Sequence, residues 1–173
     1  MPNAEQLLSV ARELVDHAGT TTILTIGPAD AHLRRAVSTA YYALFHKVVG
    51  AAAGRLVGTD QLQTAAYRLV YRAYDHRRMK DVFTALQAPV LKPPYQDRLG
   101  RSSVSQDLRN VAIAFVTLQE ARQLADYHPG ILLLLLDAAA LVNAAIQAVA
   151  SFDRVPPDEL RDVLALMLVG ARA

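Results

Sequence analysis

A chain of 173 residues that is 53% hydrophobic and 20% charged carries enough apolar material for the core of one domain. It has no Cys, which excludes a disulfide scaffold, thiolate metal sites, iron–sulfur ligation and a Cys nucleophile. Its formal net charge is only +2, so bulk charge points to no nucleic-acid partner and only a local cluster can.

Ala and Leu swell the apolar fraction more than Val, Ile and aromatics do, which favours helix over sheet. The first stretch, MPNAEQLLSVARELVDHAG, carries Glu5, Glu13 and Asp16 and lacks the basic-then-apolar order of a signal peptide. It reads as an amphipathic helix capped by Asn3, running to about His17 and closed by Gly19. Thr20 to Gly27 reads as a connector. Pro28 then opens a long helix to about Ala53, stopped by Gly54, with a core stripe of Leu33, Val37, Tyr41, Leu44 and Val48. Thr59 or Asp60 caps a helix carrying Leu62, Ala66, Leu69 and Val70, which either continues or restarts near His76 and ends around Leu86.

Residues 87–103, QAPVLKPPYQDRLGRSS, read as a long loop, of the kind that is functional or mobile. Ser103 or Ser105 opens a helix to about Tyr127, where Pro129-Gly130 enforces a stop. A further helix spans about Ile131 to Phe152. Its first twenty residues have membrane-spanning length, but Asp137, a high Ala content and the lack of basic flanks argue for a bundle helix or a dimer seam. Pro156-Pro157-Asp158 starts a last helix with Leu160, Val163, Leu164 and Met167. The expectation is one all-α domain over 1–173, cytoplasmic. Its architecture would be an antiparallel up-and-down bundle of four core helices with flanking helices at about 4–17 and 157–170.

The sequence holds no HExxH, Glu-x-x-His, Walker loop, GxGxxG or GxSxG, so no metal and no cofactor is expected. Two places carry chemistry. The stripe Leu108, Val111, Phe115, Leu118 steps onto Arg122 and Ala125, which puts Arg122 where an apolar residue belongs. A charge there needs a carboxylate or an anion. Asp126 lies one turn later and can supply it, and His128 follows at the helix end, where its imidazole can swing toward the guanidinium.

The second place is AYRLVYRAYDHRRMK, residues 66–80. Arg68, Arg72, Arg77, Arg78 and Lys80 against Asp75 give a local charge of +4, interleaved with Tyr67, Tyr71 and Tyr74. Arg68, Arg72 and His76 are four apart and share a face if the helix continues. Cations beside rings suit single-stranded RNA; the same pattern also describes a solvated helix face whose tyrosines pack inward. Three rings spread over eight residues are not expected to face one groove. His17, His32 and His46 read as isolated, and Arg34 with His32 and Arg35 puts positive charge at a helix start, where an external anion would be welcome.

The runs LRRAVSTAYYALFHKVV (residues 33–49) and ARQLADYHP (residues 121–129) resemble the HEPN superfamily, the higher eukaryotes and prokaryotes nucleotide-binding domains. The likeness covers roughly residues 28–152. It implies a dimerising helical bundle, frequently a metal-independent endoribonuclease of toxin–antitoxin or defence systems, in which an Arg and a later His act on the ribose 2′-hydroxyl and its phosphate. That pattern maps onto Arg122 and His128 as catalytic residues. Asp126 and Tyr127 would support the site, and Arg68, Arg72, His76, Arg77 and Arg78 would bind RNA. Two alternatives stay open. Arg122, Asp126 and Tyr127 can form a purely structural knot, and the chain can be a non-catalytic module binding a partner such as a nucleotidyltransferase-type antitoxin.

Overall fold

The computed structural model describes the backbone of residues 3–20 and 26–169, with side chains described over the same ranges apart from 26–29. Eight helices and no strand occur among the described residues: α1 Ala4–Thr20, α2 Ile26–Val57, α3 Ala65–Ala73, α4 His76–Leu86, α5 Pro93–Leu99, α6 Gln106–Tyr127, α7 Leu135–Arg154 and α8 Pro157–Val169. Helix α2 is the axis, in contact with α1, α3, α6, α7 and α8. Helix α6 lies against α2, α4 and α7, while α4 and α5 both reach α8.

The core forms where the two longest apolar stripes meet. Val37, Tyr41, Leu44 and Val48 of α2 and Leu108, Val111, Phe115 and Leu118 of α6 are all fully buried. Each such Leu or Phe contributes about 1.5–3 kcal/mol when removed from water. The rings of Tyr41 and Phe83 stand 5.5 and 4.7 Å from that of Phe115 and tie α4 into the same core. On α7, Ala138, Val142, Ala145, Ala148, Val149 and Phe152 are buried, so this apolar helix spends one side on the interior. It is long and apolar enough to cross a membrane by length and composition, and is partly buried here.

Several boundaries differ from the sequence expectation. The connector expected over Thr20–Gly27 falls largely on residues outside the described ranges, and α2 begins at Ile26, before Pro28. Gly54 does not stop α2. The helix runs to Val57 and ends at Gly58, whose φ of 118° is open to glycine. Neither Thr59 nor Asp60 caps the next helix; Thr64 does, its hydroxyl accepting from the Tyr67 amide at 3.2 Å. The expected stripe of that helix is therefore displaced: Leu62 and Leu69 are exposed and Tyr67 is the buried residue.

Residues 87–103 are not an open loop. Pro93 starts α5, Leu91 and Leu99 are buried, and the Leu91 amide donates to the Ser102 carbonyl at 2.8 Å. Arg101 binds Asp162 of α8 at 2.6 Å and approaches the buried Glu159, which in turn accepts from the Ser105 amide and hydroxyl at the start of α6. Helix α7 begins at Leu135 rather than Ile131, because the preceding residues are held by side chains of α2.

Candidate functional site

The site is built on a polar stripe of α2 that the apolar stripe had overshadowed. Asp30, Arg34, Ser38, Tyr42 and His46 recur every four residues and form a row that winds slowly round the helix, with Arg34, Ser38 and Tyr42 on the face toward α6. That face meets the last turns of α6. Arg34 donates from Nη1 to the carbonyls of Ala125 (2.8 Å) and His128 (3.1 Å), from Nη2 to the carbonyl of Ile131, and from Nε to Asp30 (2.5 Å). The carbonyls that α6 leaves unpaired at its end thus find a cation, which also suits the helix dipole. Arg34 needs no external anion; Asp30 and α6 supply its partners.

One turn further along α2, the Ser38 hydroxyl donates to Asp126 Oδ1 at 2.5 Å. Asp126 Oδ2 lies 2.7 Å from Arg122 Nε, an ion pair whose N–H is not aligned for a hydrogen bond. Arg122 Nη2 donates to the Tyr42 hydroxyl at 2.8 Å. Its Cζ stands 5.4 Å from the centroid of the Tyr42 ring and 5.5 Å from that of Tyr127. The side chain is 20% exposed. Burial pulls its pKa down, but Tyr42, Asp126, Tyr127 and Tyr41 outweigh that and raise it, so the guanidinium stays charged. Nη1 makes no hydrogen bond among the described residues and is not sealed from solvent.

Asp126 therefore partners Arg122 as the spacing suggests, while His128 does not join them. It is the exposed C-cap of α6, its amide donating to the Leu124 carbonyl at 3.0 Å, and its ring has no hydrogen bond among the described residues. The histidine that feels the Arg122 charge is His76. The chain breaks at Tyr74 and restarts with Asp75 as N-cap of α4, its carboxylate accepting from the amides of Arg77 and Arg78. The break takes His76 off the face of Arg68 and Arg72. Its ring stacks on Phe45 at 4.0 Å and meets Tyr42 edge-on at 6.4 Å, and its Nδ1 is 2.5 Å from the Tyr41 hydroxyl.

The same pairing recurs with the helices exchanged, the Tyr71 hydroxyl of α3 lying 2.5 Å from Nδ1 of His46 on α2. Burial lowers the pKa of both histidines, helped by Arg122 at His76 and by His76 at His46. Burial also raises Tyr41 well above its ordinary value and pushes Tyr71 up to about 12. We accordingly assign the phenols as donors to neutral imidazoles that carry their proton on Nε2. His46 is thus not isolated, and the rings of His17 and His32 also meet, 4.7 Å apart.

Tyr67, Tyr71 and Tyr74 all turn to one side, because steps of four and three residues keep them within one helical stripe. That side is inward: Tyr67 donates to the Gly50 carbonyl and Tyr74 to the Leu164 carbonyl. Tyr67 stacks on Tyr71, Tyr71 on His46 and His46 on Tyr42, leaving no ring face there for a base. Arg68, Arg72, Arg77 and Arg78 stay exposed, and Lys80 pairs with Glu120 at 2.9 Å. No group of three His, Asp or Glu close enough to hold a metal occurs among the described residues. A cleft of about 430 Å³ bordered by Glu5, Lys47, Arg55 and Phe152 excludes Arg122 and His128, and its Lys47 is already paired with Asp153. No family model, no curated protein and no solved structure matches this chain.

Proposed function

We propose that the chain is a HEPN-like RNA- or nucleotide-binding protein with Arg122 as its phosphate anchor, acting as a metal-independent endoribonuclease of a toxin–antitoxin or defence system. In this reading it is a cytoplasmic dimer. Its four core helices would be α2, the α3–α4 pair, α6 and α7, arranged as an up-and-down bundle. The observation that carries the proposal is the state of Arg122. Asp126 and Tyr42 hold Nε and Nη2, two rings lie within 5.5 Å of Cζ, and Nη1 is left for an outside anion.

His128 supports catalysis because its ring is exposed and makes no hydrogen bond among the described residues. The 2′-oxygen of a ribose would attack its own phosphorus, and the bond to the 5′-oxygen of the next nucleotide would break. The products are a 2′,3′-cyclic phosphate and a 5′-hydroxyl. His128 would take the proton from the 2′-hydroxyl or return it to the leaving oxygen, and Arg122 would offset the charge on the phosphorane. The nucleophile belongs to the substrate, so no metal is needed to make it.

The test is incubation of the purified protein with single-stranded RNA in excess chelator. Cleavage to cyclic-phosphate ends is expected, with His128→Ala reducing the rate by about 100-fold or more and Arg122→Lys weakening both binding and cleavage. RNA that stays intact and unbound with wild-type protein overturns the reading; RNA that is bound but intact removes only the catalytic step.

A second reading rests on the exposed Leu124, Leu132, Leu134 and Leu136, an apolar group beside the end of α6. Exposed apolar clusters mark interaction surfaces, and a partner here would be a second copy or a nucleotidyltransferase-type antitoxin. Leu136→Arg, which disturbs no buried contact, would then shift the oligomeric state in sedimentation without altering the thermal midpoint.

A further inference from the structure

The chain's four Phe and seven Tyr sort into ten rings that are buried or half-buried and one that is open. Tyr127, the last residue of α6, is 73% exposed. Its inner face rests on the Arg122 guanidinium, 5.5 Å from Cζ to centroid, and no other ring contacts it among the described residues. The tyrosines of the basic stretch cannot offer a face, because Tyr71 is stacked between Tyr67 and His46 and both Tyr67 and Tyr74 are buried. Tyr127 can.

Exposing a tyrosine this fully gives up apolar burial, while the cation behind it restrains its orientation. Arg122 is itself fixed by Asp126 and Tyr42, so the ring is braced through two further contacts before any ligand arrives. A platform ordered in advance loses little entropy on binding. Nη1 belongs to the guanidinium whose Cζ lies 5.5 Å from the Tyr127 centroid, which places a phosphate donor and a stacking face within the span of one nucleotide.

We infer that Tyr127 is the stacking platform for an unpaired nucleobase whose backbone phosphate is taken by Arg122. This rests on the reading of Arg122 as a phosphate anchor and adds the substrate class: single-stranded RNA or a splayed loop, since a base held within a duplex stack cannot reach the ring. A free mononucleotide presents the same base-plus-phosphate chemistry, so the experiment separates the two.

The experiment measures binding of a 2′-O-methyl single-stranded oligonucleotide carrying 2-aminopurine, which blocks cleavage and reports stacking by fluorescence. AMP and a blunt RNA duplex serve as competitors. Tyr127→Phe and Tyr127→Trp are expected to bind within about 2-fold of wild type, and Tyr127→Leu about 10-fold more weakly with the fluorescence change lost. Leucine keeps apolar cover over Arg122 but has no π face, and a thermal midpoint close to wild type shows that the fold is intact. Single-stranded RNA as the better competitor supports the inference; AMP competing equally per molecule assigns the platform to nucleotides instead and overturns the RNA class.

Tyr127→Leu binding as tightly as wild type, while Arg122→Lys does not, overturns the platform and leaves the anchor standing. Duplex competing as well as single strand does the same. If Tyr127→Leu dissociates a dimer and leaves RNA affinity unchanged, the ring belongs to a protein interface. Wild-type protein that binds no RNA defeats the anchor and the platform together.

Discussion

Ser38 on α2 donates its hydroxyl to Oδ1 of Asp126 on α6 at 2.5 Å, and so leaves Oδ2 to face Arg122 at 2.7 Å. One carboxylate thereby fixes a cation and ties two helices that are far apart in sequence. Ser38 is 2% exposed, whereas Arg122 and Asp126 keep 20% and 28% of their side chains in solvent. The ion pair therefore lies between the surface and buried limits. Asp126→Asn keeps an acceptor for Ser38 and removes the charge opposite Arg122, with an expected loss of roughly 2 kcal/mol. Ser38→Ala should cost about 1 kcal/mol, the net value of one hydrogen bond. Urea unfolding of the two single variants and the double variant checks this, and a double variant that merely sums the singles would show that the two bonds are not coupled.

Arg34 governs the end of the same helix. It is 20% exposed and gives its donors to Asp30 and to the carbonyls of Ala125, His128 and Ile131. A lysine cannot reproduce that fork. Arg34→Lys is expected to lose about 2 kcal/mol and to speed amide exchange at His128 and Ile131, whose N–H groups close the turn. Exchange that accelerates equally along the whole of α6 would mean global loosening rather than release of its last turn.

Much of this was written in the chain, and what was not has a physical cause. The break of Arg122 from the apolar stripe of α6 pointed to a paired interior cation, and Asp126 one turn on was its partner. The i, i+4 run Asp30, Arg34, Ser38, Tyr42, His46 was equally visible as a period. An apolar stripe on the same helix already accounts for the pattern that builds a core, so the polar run carries no separate signal. A continuous helix over residues 66–80 would put His76 on the face of Arg68 and Arg72. Asp75 is a good N-cap residue, its carboxylate accepting from the amides of Arg77 and Arg78, and it breaks that helix. The two Tyr–His pairs join residues 35 and 25 positions apart, so no local pattern records them.

Those two pairs set a pH dependence. Folding lowers the pKa of His76 and His46 from the ordinary 6.5, first through burial and then through Arg122 and His76 respectively. Asp75 pulls His76 the other way without reversing the shift. Between the folded pKa values and 6.5 the unfolded chain binds more protons, so stability rises with pH there. The contribution is complete above about pH 6.5, falls as the pH drops through the folded pKa values, and is constant below them. His76→Gln should lower stability at pH 7.5 and flatten this acid slope. An unchanged slope in the variant would assign the dependence to other groups.

The exposed arginines near α3 and α4 differ in how free they are. Arg68 donates to the Gln63 carbonyl and Arg78 to the Leu168 carbonyl, whereas the side chains of Arg72 and Arg77 make no hydrogen bond among the described residues. If the basic face follows the RNA backbone away from Arg122, these two are the cations able to displace counterions. Neutralising both, as Arg72→Gln with Arg77→Gln, is then expected to reduce the slope of log K against log salt by about 1.4, near 0.7 for each single-strand phosphate contact. Both are surface substitutions, so the thermal midpoint should move little. Fluorescence anisotropy across a salt series measures the slope. A value equal to wild type would place the RNA path elsewhere and leave this face as solvated charge.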